Sequence, residues 1–305
     1  MVAHYAQTPK KDQIFLDHVG WFVSDINSMS ASLHRLGFVL TPFVAQHNAS
    51  PNGGAPVAAG TGNRCAMLGR GYLEILTTVN DANTALARQL KKAVNRYKGI
   101  HLIALSIDDA EKSFQNLEMA GFTPQEPVQL RRPIKLKDGR KAEVAFTVLR
   151  VPPDKMEEGR IQMLRHDTPD LVWGSELIAR DNAVTALAGM IVCVKDPQEV
   201  SQRFARFARR KPVKTKEIFT VNLDRGRLCF VSAYQCRNLI PELQIPELPF
   251  MAAVILESCS LSDTRSFFTK RLIRYVSVSK DILRVDPEEA EGTSIIIVQE
   301  GVLWP

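Results

Sequence analysis

The feature that most constrains the fold of this chain is an internal repeat. The segment HVGWFVSDINSMSASLHRLGF (residues 18–38) aligns with HLIALSIDDAEKSFQNLEMAGF (residues 101–122). In each segment a histidine opens an apolar strand, an acidic turn and one amphipathic helix follow, and the segment ends in Gly-Phe. Similarity at this scale indicates a duplicated supersecondary unit, each copy of which is too small to bury its own sheet face.

The segments after each helix complete the repeat unit. Three strand-like pieces follow the first helix (FVLTPFVAQ, NRCAMLG and GYLEILTTV), and three follow the second (PVQLRRPIKL, AEVAFTVLRV and GRIQMLRH). Two weaker copies begin at AGMIVCVKDPQEVSQRFARFARR and FMAAVILESCSLSDTRSFFTKRLIRY. The pattern predicts an α+β fold of four tandem βαβββ modules, paired into two domains with curved mixed sheets and helices outside.

The chain is long enough for two domains, since 305 residues is about twice the usual domain length of ~150 residues. We expect a flexible N-terminal arm over residues 1–12, a first domain over 13–166, a linker over 167–182 and a second domain over 183–300. The Gly/Pro-rich stretch NASPNGGAPVAAGTG is either a lid over a site or slack chain.

Composition predicts a cytoplasmic protein. No apolar run reaches the roughly 18 residues needed to cross a bilayer, and the opening MVAHYAQTPKKDQ lacks the apolar segment of a signal peptide. The five cysteines are scattered without CxxC spacing, which favours reduced thiols over a disulfide or zinc framework.

The basic charge of the chain is concentrated in one stretch. The formal net charge is +6, and RFARFARRKPVKTK (residues 203–216) alone carries seven basic residues. A helix here would bury Val200, Phe204 and Phe207 and turn its arginines to solvent. A basic face alone is only the electrostatic footprint of nucleic-acid binding. We therefore interpret the stretch as a solvated face and expect no membrane partner, with nucleic-acid binding as the less favoured alternative and a homodimer as an option.

Polar residues occupy equivalent places on the strands of the first two units. The first strand carries His18 in unit one and His101 in unit two, and the last strand carries Glu74 or Gln162 between apolar neighbours. A buried carboxylate is costly unless it is paired or bound to a metal. Imidazole, carboxylate and amide donors suit Fe(II), Mn(II), Co(II), Ni(II) or Zn(II). The alternatives are hydrogen-bonded core histidines and, for Gln162, a purely structural amide.

Strand periodicity extends the candidate site. Because alternate strand residues share a face, the ligand-bearing faces also carry an apolar wall and two polar groups that are candidates for binding substrate. The wall consists of Phe22, Tyr72, Ile103 and Leu164, and the polar groups are Arg160 and His166.

Four stretches carry a family resemblance: LDHVGWFVSD, GTGNRCAMLGRGYLEIL, GIHLIALSIDD and GRIQMLRHDTPDLVW. They resemble the vicinal oxygen chelate superfamily, which includes glyoxalases, extradiol dioxygenases, methylmalonyl-CoA epimerases and the fosfomycin- and bleomycin-resistance proteins, and they look most like its glyoxalase-like branch. The resemblance covers residues 15–173 well. Over residues 185–300 it is limited to the order of strands and helices.

The resemblance implies a metal-dependent enzyme. Its divalent metal would be bound by His18, Glu74, His101 and Gln162, and its small substrate would carry vicinal oxygens. The implied chemistry is that of an isomerase, lyase, epimerase or ring-cleaving dioxygenase, with Glu74 as the base if the reaction is a proton transfer. The alternatives are a non-catalytic small-molecule-binding module of the bleomycin-resistance type and a nucleic-acid-associated structural protein.

The chain departs from the family pattern in two ways. Many relatives have Glu where this chain has Gln162. The third and fourth units also lack ligands, which predicts a degenerate, metal-free second domain; the residues at the equivalent positions are Gly189, Cys229, Val254 and either Ile295 or Ile296.

Overall fold

The computed structural model describes residues 7–48, 57–135, 139–174, 176–179 and 181–305. Residues 1–6 of the expected arm and residues 49–56 of the expected lid or slack loop lie outside these ranges. The first unit consists of β1 (Phe15–Phe22), α1 (Ile26–Arg35), β2 (Val44–Asn48), β3 (Val57–Met67) and β4 (Tyr72–Thr78). After a connecting helix α2 (Ala85–Arg96), the second consists of β5 (Gly99–Ser106), α3 (Ala110–Met119), β6 (Val128–Lys135), β7 (Lys141–Arg150) and β8 (Arg160–His166).

The second half repeats this order. Its first unit consists of β9 (Val184–Cys193), α4 (Pro197–Phe207), β10 (Pro212–Thr215), β11 (Ile218–Asn222) and β12 (Arg227–Val231). Helix α5 (Ala233–Leu239) leads to the last unit, β13 (Phe250–Ser258), α6 (Leu261–Lys270), β14 (Tyr275–Ser279), β15 (Ile282–Val285) and β16 (Ser294–Gln299). The expected fold of four βαβββ modules is confirmed.

The same local signals start and end the helices of the first two units. Asp25 and Asp109 are the N-caps of α1 and α3, and each carboxylate accepts a hydrogen bond from a backbone N–H in the first turn. Gly37 and Gly121 follow the two helix ends with φ of +89° and +80°, a conformation that glycine adopts without strain. The repeat is therefore encoded in short-range chemistry at both ends of each helix.

The first eight strands close into a barrel. Within each unit the first and last strands pair in parallel, β1 with β4 and β5 with β8. The two units join through the antiparallel pair β1–β5 and, on the opposite side, through Asn48 of β2 and Leu130 of β6. The second half has the antiparallel pair β9–β13 at its centre. A contact between Ile100 and Met251 continues the sheet from one half into the other.

The concave face of the second half is filled with apolar side chains. Ile191, Cys229, Ile255 and Ile296 are all fully buried there, and Trp304 near the chain end packs against them. The strand register places Ala252, not Val254, at the position of His101, since each residue lies eight positions before the N-cap of the following helix. The absence of a metal from this half stays a prediction.

The described part of the N-terminal arm contacts the first barrel. Gln7 donates a hydrogen bond to the carbonyl of Gly69, and Asp12 forms an ion pair with Lys112 at 2.6 Å. None of the helices in the described part of the chain combines the length and apolar character that crossing a bilayer requires.

Candidate active site

The barrel of the first half encloses a cavity of about 770 Å³. Six of the residues predicted from the sequence line it: His18, Tyr72, Glu74, Arg160, Gln162 and Leu164. They come from β1, β4 and β8, which lie side by side with β5 in the barrel wall. The chain between the two halves also contributes to the lining, through Asp170, Leu171, Val172, Gly174, Glu176 and Leu177.

A β-bulge places an unpredicted carboxylate beside His18. The pairing of β1 with β5 shifts between Leu16 and His18, so that Asp17 is an extra residue on β1. The Asp17 side chain is fully buried, and its two oxygens lie 2.7 Å from Nδ1 of His18 and 2.8 Å from Nε2 of His166. Burial opposes ionisation, but the two imidazoles outweigh it and lower the pKa of Asp17 below its ordinary value. Asp17 is therefore ionised and orients both rings.

The other ring nitrogen of His18 faces Glu74. Nε2 of His18 lies 3.5 Å from Oε2 of Glu74, and Asn63 donates a hydrogen bond to Oε1 of the same carboxylate. The ring of Tyr72 stacks on His18 with centroids 4.3 Å apart. Burial raises the pKa of Tyr72 well above its ordinary value, so that its phenol stays protonated. The arrangement is a histidine between two carboxylates, one of which lines the cavity, and such a group can accept and return protons.

The expectation that His101 converges with His18 and Glu74 is wrong. His18 lies seven positions before the cap Asp25, and Leu102 lies seven positions before the cap Asp109, so Leu102 is the structural equivalent of His18. Leu102 lines the cavity, whereas His101 is the extra residue of a bulge on β5.

His101 is instead buried against Tyr97 and does not line the cavity. Its Nε2 bonds the carbonyl of Tyr97 at 2.9 Å, and its ring stacks on the Tyr97 ring with centroids 4.0 Å apart. The side chain is 1% exposed, and burial lowers the pKa of His101 to about 4. It is therefore a neutral, hydrogen-bonded core histidine, which is the alternative that the sequence left open.

Three further predicted contacts are absent from the cavity lining. Ile103 packs in the outer core because it is one residue out of phase with Leu102. His166 has a fully buried side chain and holds Asp17. Phe22 is fully buried in the apolar cluster that includes the cavity-lining Leu102 and Leu164, and its ring centroid is 4.7 Å from the guanidinium of Arg160. The expectation that these three side chains line the cavity is wrong.

The described donors do not fit the four-ligand metal site that the resemblance implies. Among the residues that the structure describes, no three His, Cys, Asp or Glu side chains are grouped as metal ligands. The position that corresponds to His18 in the second unit holds the apolar Leu102, which leaves His18, Glu74 and the neutral Gln162 in the cavity.

The sequence reading missed four polar residues of the site: Asp17, Asn63, Arg132 and Arg150. By strict alternation Asp17 would point away from His18, and no sequence signal marks the bulge that brings it inward. Arg150 lies between Leu149 and Val151, an alternation that was an available signal, whereas Asn63 and Arg132 have polar, Gly or Pro neighbours and no such signal.

A closed barrel of two βαβββ units around an internal polar site is the architecture of a vicinal-oxygen-chelate-type protein. Residues 16–208 match the family model described as a glyoxalase-like domain, and the chain belongs to that family. This confirms the resemblance seen in the sequence. A comparison with curated proteins finds no match.

Solved structures share the fold across both halves. A hypothetical protein from Staphylococcus aureus superposes with a TM-score of 0.64 at 12% identity, covering 94% of this chain and 99% of that one. A triple mutant of 4-hydroxymandelate synthase from Streptomyces coelicolor gives 0.56 at 11% identity, covering 96% and 94%. A fusion protein of a xylose isomerase-like TIM barrel and 4-hydroxyphenylpyruvate dioxygenase gives 0.55 at 10%, covering 99% of this chain and 52% of that one. At these identities the similarity shows the fold alone.

Proposed function

We propose that the protein is a glyoxalase-like enzyme that transfers a proton at a carbon atom beside a carbonyl group of a small organic molecule. One observation carries the proposal: His18 lies between the ionised Asp17 and Glu74, and both His18 and Glu74 line the barrel cavity. Three buried titratable groups in contact are costly for folding, and such groups cluster where proton transfer is needed.

In the proposed reaction Glu74 is the base. Its carboxylate takes a proton from the substrate carbon, the C–H bond breaks, and the electron pair moves to the carbonyl oxygen to give an enolate. His18, 3.5 Å from Glu74, relays the proton so that it returns to another carbon or to the opposite face. Asp17 does not touch the substrate and acts as a positioning residue through its bond to Nδ1 of His18. A positioned acid or base of this kind contributes about 10²–10⁴-fold in rate.

The surroundings of this group support a small-molecule substrate. Tyr72 and Leu164 give the cavity apolar walls. The basic stretch at residues 203–216 gives little support to a rival function, because four of its seven charges have acidic partners: Arg203 pairs with Glu158, Arg209 with Asp12, Arg210 with Asp224 and Lys214 with Glu217. A nucleic-acid partner is therefore no part of the proposal.

The test is proton exchange with solvent. Wild-type protein is incubated in D₂O with a panel of 2-oxo acids and 2-hydroxy ketones that includes phenylpyruvate and 2-oxooctanoate, and loss of the α-proton signal is followed by ¹H NMR. We expect at least one panel member to exchange faster with protein than without it. Glu74→Gln is expected to lower that rate by at least about 10²-fold, because the amide cannot take the proton.

The control variant is Glu143→Gln, which removes an exposed carboxylate from β7 of the same barrel. It is expected to exchange at the wild-type rate. Full exchange by Glu74→Gln would exclude Glu74 as the base. Loss of exchange on adding EDTA, with recovery on adding a divalent metal, would show that a metal supplies the chemistry. Binding of panel compounds without any exchange would favour the non-catalytic binding module.

A further inference from the structure

We propose that Arg150 and Arg160 form an anion subsite in the barrel cavity that binds the carboxylate group of an amphipathic substrate. This assignment of substrate class rests on the proposed function, because it places an organic acid beside Glu74 and His18.

The strand register places the two guanidinium groups on one face of the wall. Arg150 of β7 lies directly opposite Gln162 of β8, and Arg160 lies two residues from Gln162 along the same strand. Residues in this diagonal relation have Cα atoms about 7–8 Å apart. All three side chains line the cavity. Two guanidinium groups at this spacing can both reach the oxygens of one carboxylate.

Neither arginine has a carboxylate within ion-pair distance among the described residues, and only the more distant charge of Glu74 attracts Arg160. Arg160 is 7% exposed, and its one recorded hydrogen bond goes from Nε to Oε1 of Gln89 at 2.9 Å. Nη2 of Arg160 and Nε of Arg150 are enclosed without any hydrogen-bond partner in the described chain. Burial, followed by repulsion from Arg150, outweighs the attraction of Glu74 and lowers the pKa of Arg160 to about 9. Enclosing unpaired charges destabilises a fold, and an anionic ligand would relieve that cost.

The rest of the lining selects an amphipathic acid. The cavity wall is mainly apolar, and its members include Leu76, Leu102, Val144, Phe146, Val148 and Leu171. Arg132 adds a third cation, bonded to Oδ1 of Asn63 at 3.3 Å. Glu74 is the only buried carboxylate among the described residues of the lining, since Asp170 and Glu176 are exposed. Glu74 would repel a phosphate dianion more than a carboxylate, so we assign the singly charged group.

The test compares ligands that share one apolar chain. Isothermal titration calorimetry measures the binding of octanoate, octan-1-ol and octyl phosphate to the full-length protein. We expect octanoate to bind at least about tenfold more tightly than octan-1-ol. Octan-1-ol binding as tightly as octanoate would overturn the subsite, and octyl phosphate binding more tightly than octanoate would overturn its assignment to a carboxylate.

The variants Arg160→Met and Arg150→Met remove the charges and keep an apolar stem. Each is expected to lower the affinity for octanoate at least about tenfold and to leave that for octan-1-ol unchanged. The matched control is Arg227→Met, since Arg227 is an 8% exposed arginine of the second half whose Nη2 bonds the carbonyl of Trp304. It is expected to keep the wild-type preference for octanoate.

Thermal unfolding separates a ligand-binding role from a structural one. Arg160→Met is expected to unfold at or above the wild-type temperature, because it removes an unpaired buried charge. A lower unfolding temperature with unchanged octanoate affinity would show that Arg160 serves the fold instead.

The subsite and the proposed reaction fail independently of each other. Glu74→Gln is expected to bind octanoate at least as tightly as wild type, because it removes a repelling carboxylate. If no carbon acid exchanges while octanoate is still preferred over octan-1-ol, the proton-transfer function is wrong and the subsite holds. If octanoate is not preferred, the subsite is wrong whatever the exchange assay shows.

Discussion

At the scale of single residues, one extra residue in each of two strands decides which side chains reach the cavity. On β1 the bulge turns Asp17 toward His18 and His166. On β5 the equivalent bulge turns His101 into the packing around Tyr97 and leaves Leu102 at the cavity. A bulge changes the phase of side-chain alternation, so a residue predicted on one face moves to the other.

His101 carries a prediction about the pH dependence of stability. Its folded-state pKa of about 4 lies below the unfolded value of 6.5, so the unfolded chain takes up the proton first as the pH falls. The stability due to neutral His101 is complete above pH 6.5 and is lost between pH 6.5 and about 4. The shift corresponds to about 3 kcal/mol at ~1.4 kcal/mol per pKa unit. Urea unfolding of wild type and His101→Phe at pH 7.5 and 4.5 measures this difference.

The phenylalanine variant is expected to lose less stability than wild type between those two pH values. An equal loss in both proteins would mean that His101 is not held neutral. Stabilisation of the wild type by added Zn²⁺ that His101→Phe abolishes would instead identify His101 as a metal ligand.

At the scale of elements, β1 and β5 are symmetry-related strands that present different chemistry at equivalent positions. A methyl group on Gly20 would lie 3.2 Å from Cβ of Leu102 and 3.6 Å from Oε2 of Glu74. The side chains of Leu102 and Glu74 are therefore close to each other beside Gly20. The same region holds His18, whose Nε2 faces Glu74. A second imidazole at Leu102 would therefore complete a set of two histidines and one carboxylate.

The variant Leu102→His is expected to bind about one equivalent of Zn²⁺ or Ni²⁺. The physical reason is that its imidazole enters the cavity beside Glu74, where the native leucine offers no donor. The control is Ile103→His, whose new side chain lies in the outer core. Elemental analysis after dialysis checks both proteins, and equal metal content in the two variants would contradict the register assigned to β5.

At the scale of the whole molecule, the two halves share one hydrophobic core. Helices and strand faces of both halves contribute to it, among them Trp21, Leu33, Phe204, Met251 and Val254. Nε1 of Trp21 donates to the carbonyl of Ala290 at 3.0 Å, and Arg70 pairs with Glu257 at 2.6 Å. The halves are thus joined by apolar packing and by polar contacts between distant parts of the chain.

This shared core predicts a single cooperative unfolding transition. Calorimetry is expected to give equal calorimetric and van't Hoff enthalpies. Trp21→Phe is expected to lower the transition temperature of the whole molecule, because it removes buried contacts and one hydrogen bond. Two resolved transitions would show that the halves unfold separately. So would a Trp21→Phe variant in which the transition temperature falls for only one spectroscopic probe.

The sequence by itself determined the repeat, the element order and four polar residues of the cavity: His18, Glu74, Arg160 and Gln162. The helix caps, the glycines at the helix ends and the alternation around Glu74 and Gln162 act over a few residues, and such signals are written locally in the chain. His18 also lies on the same face of β1 as Gly20, and its side chain lines the cavity as predicted.

Only the tertiary structure decided the rest of the site. A bulge depends on how β1 and β5 pair across 85 residues of chain from Asp17 to Leu102, so no local pattern reveals that Asp17 turns inward and His101 turns away. Whether Arg150 and Arg160 have counter-ions depends on every chain segment packed around them. Register and charge pairing are long-range properties, and they are settled when the barrel closes.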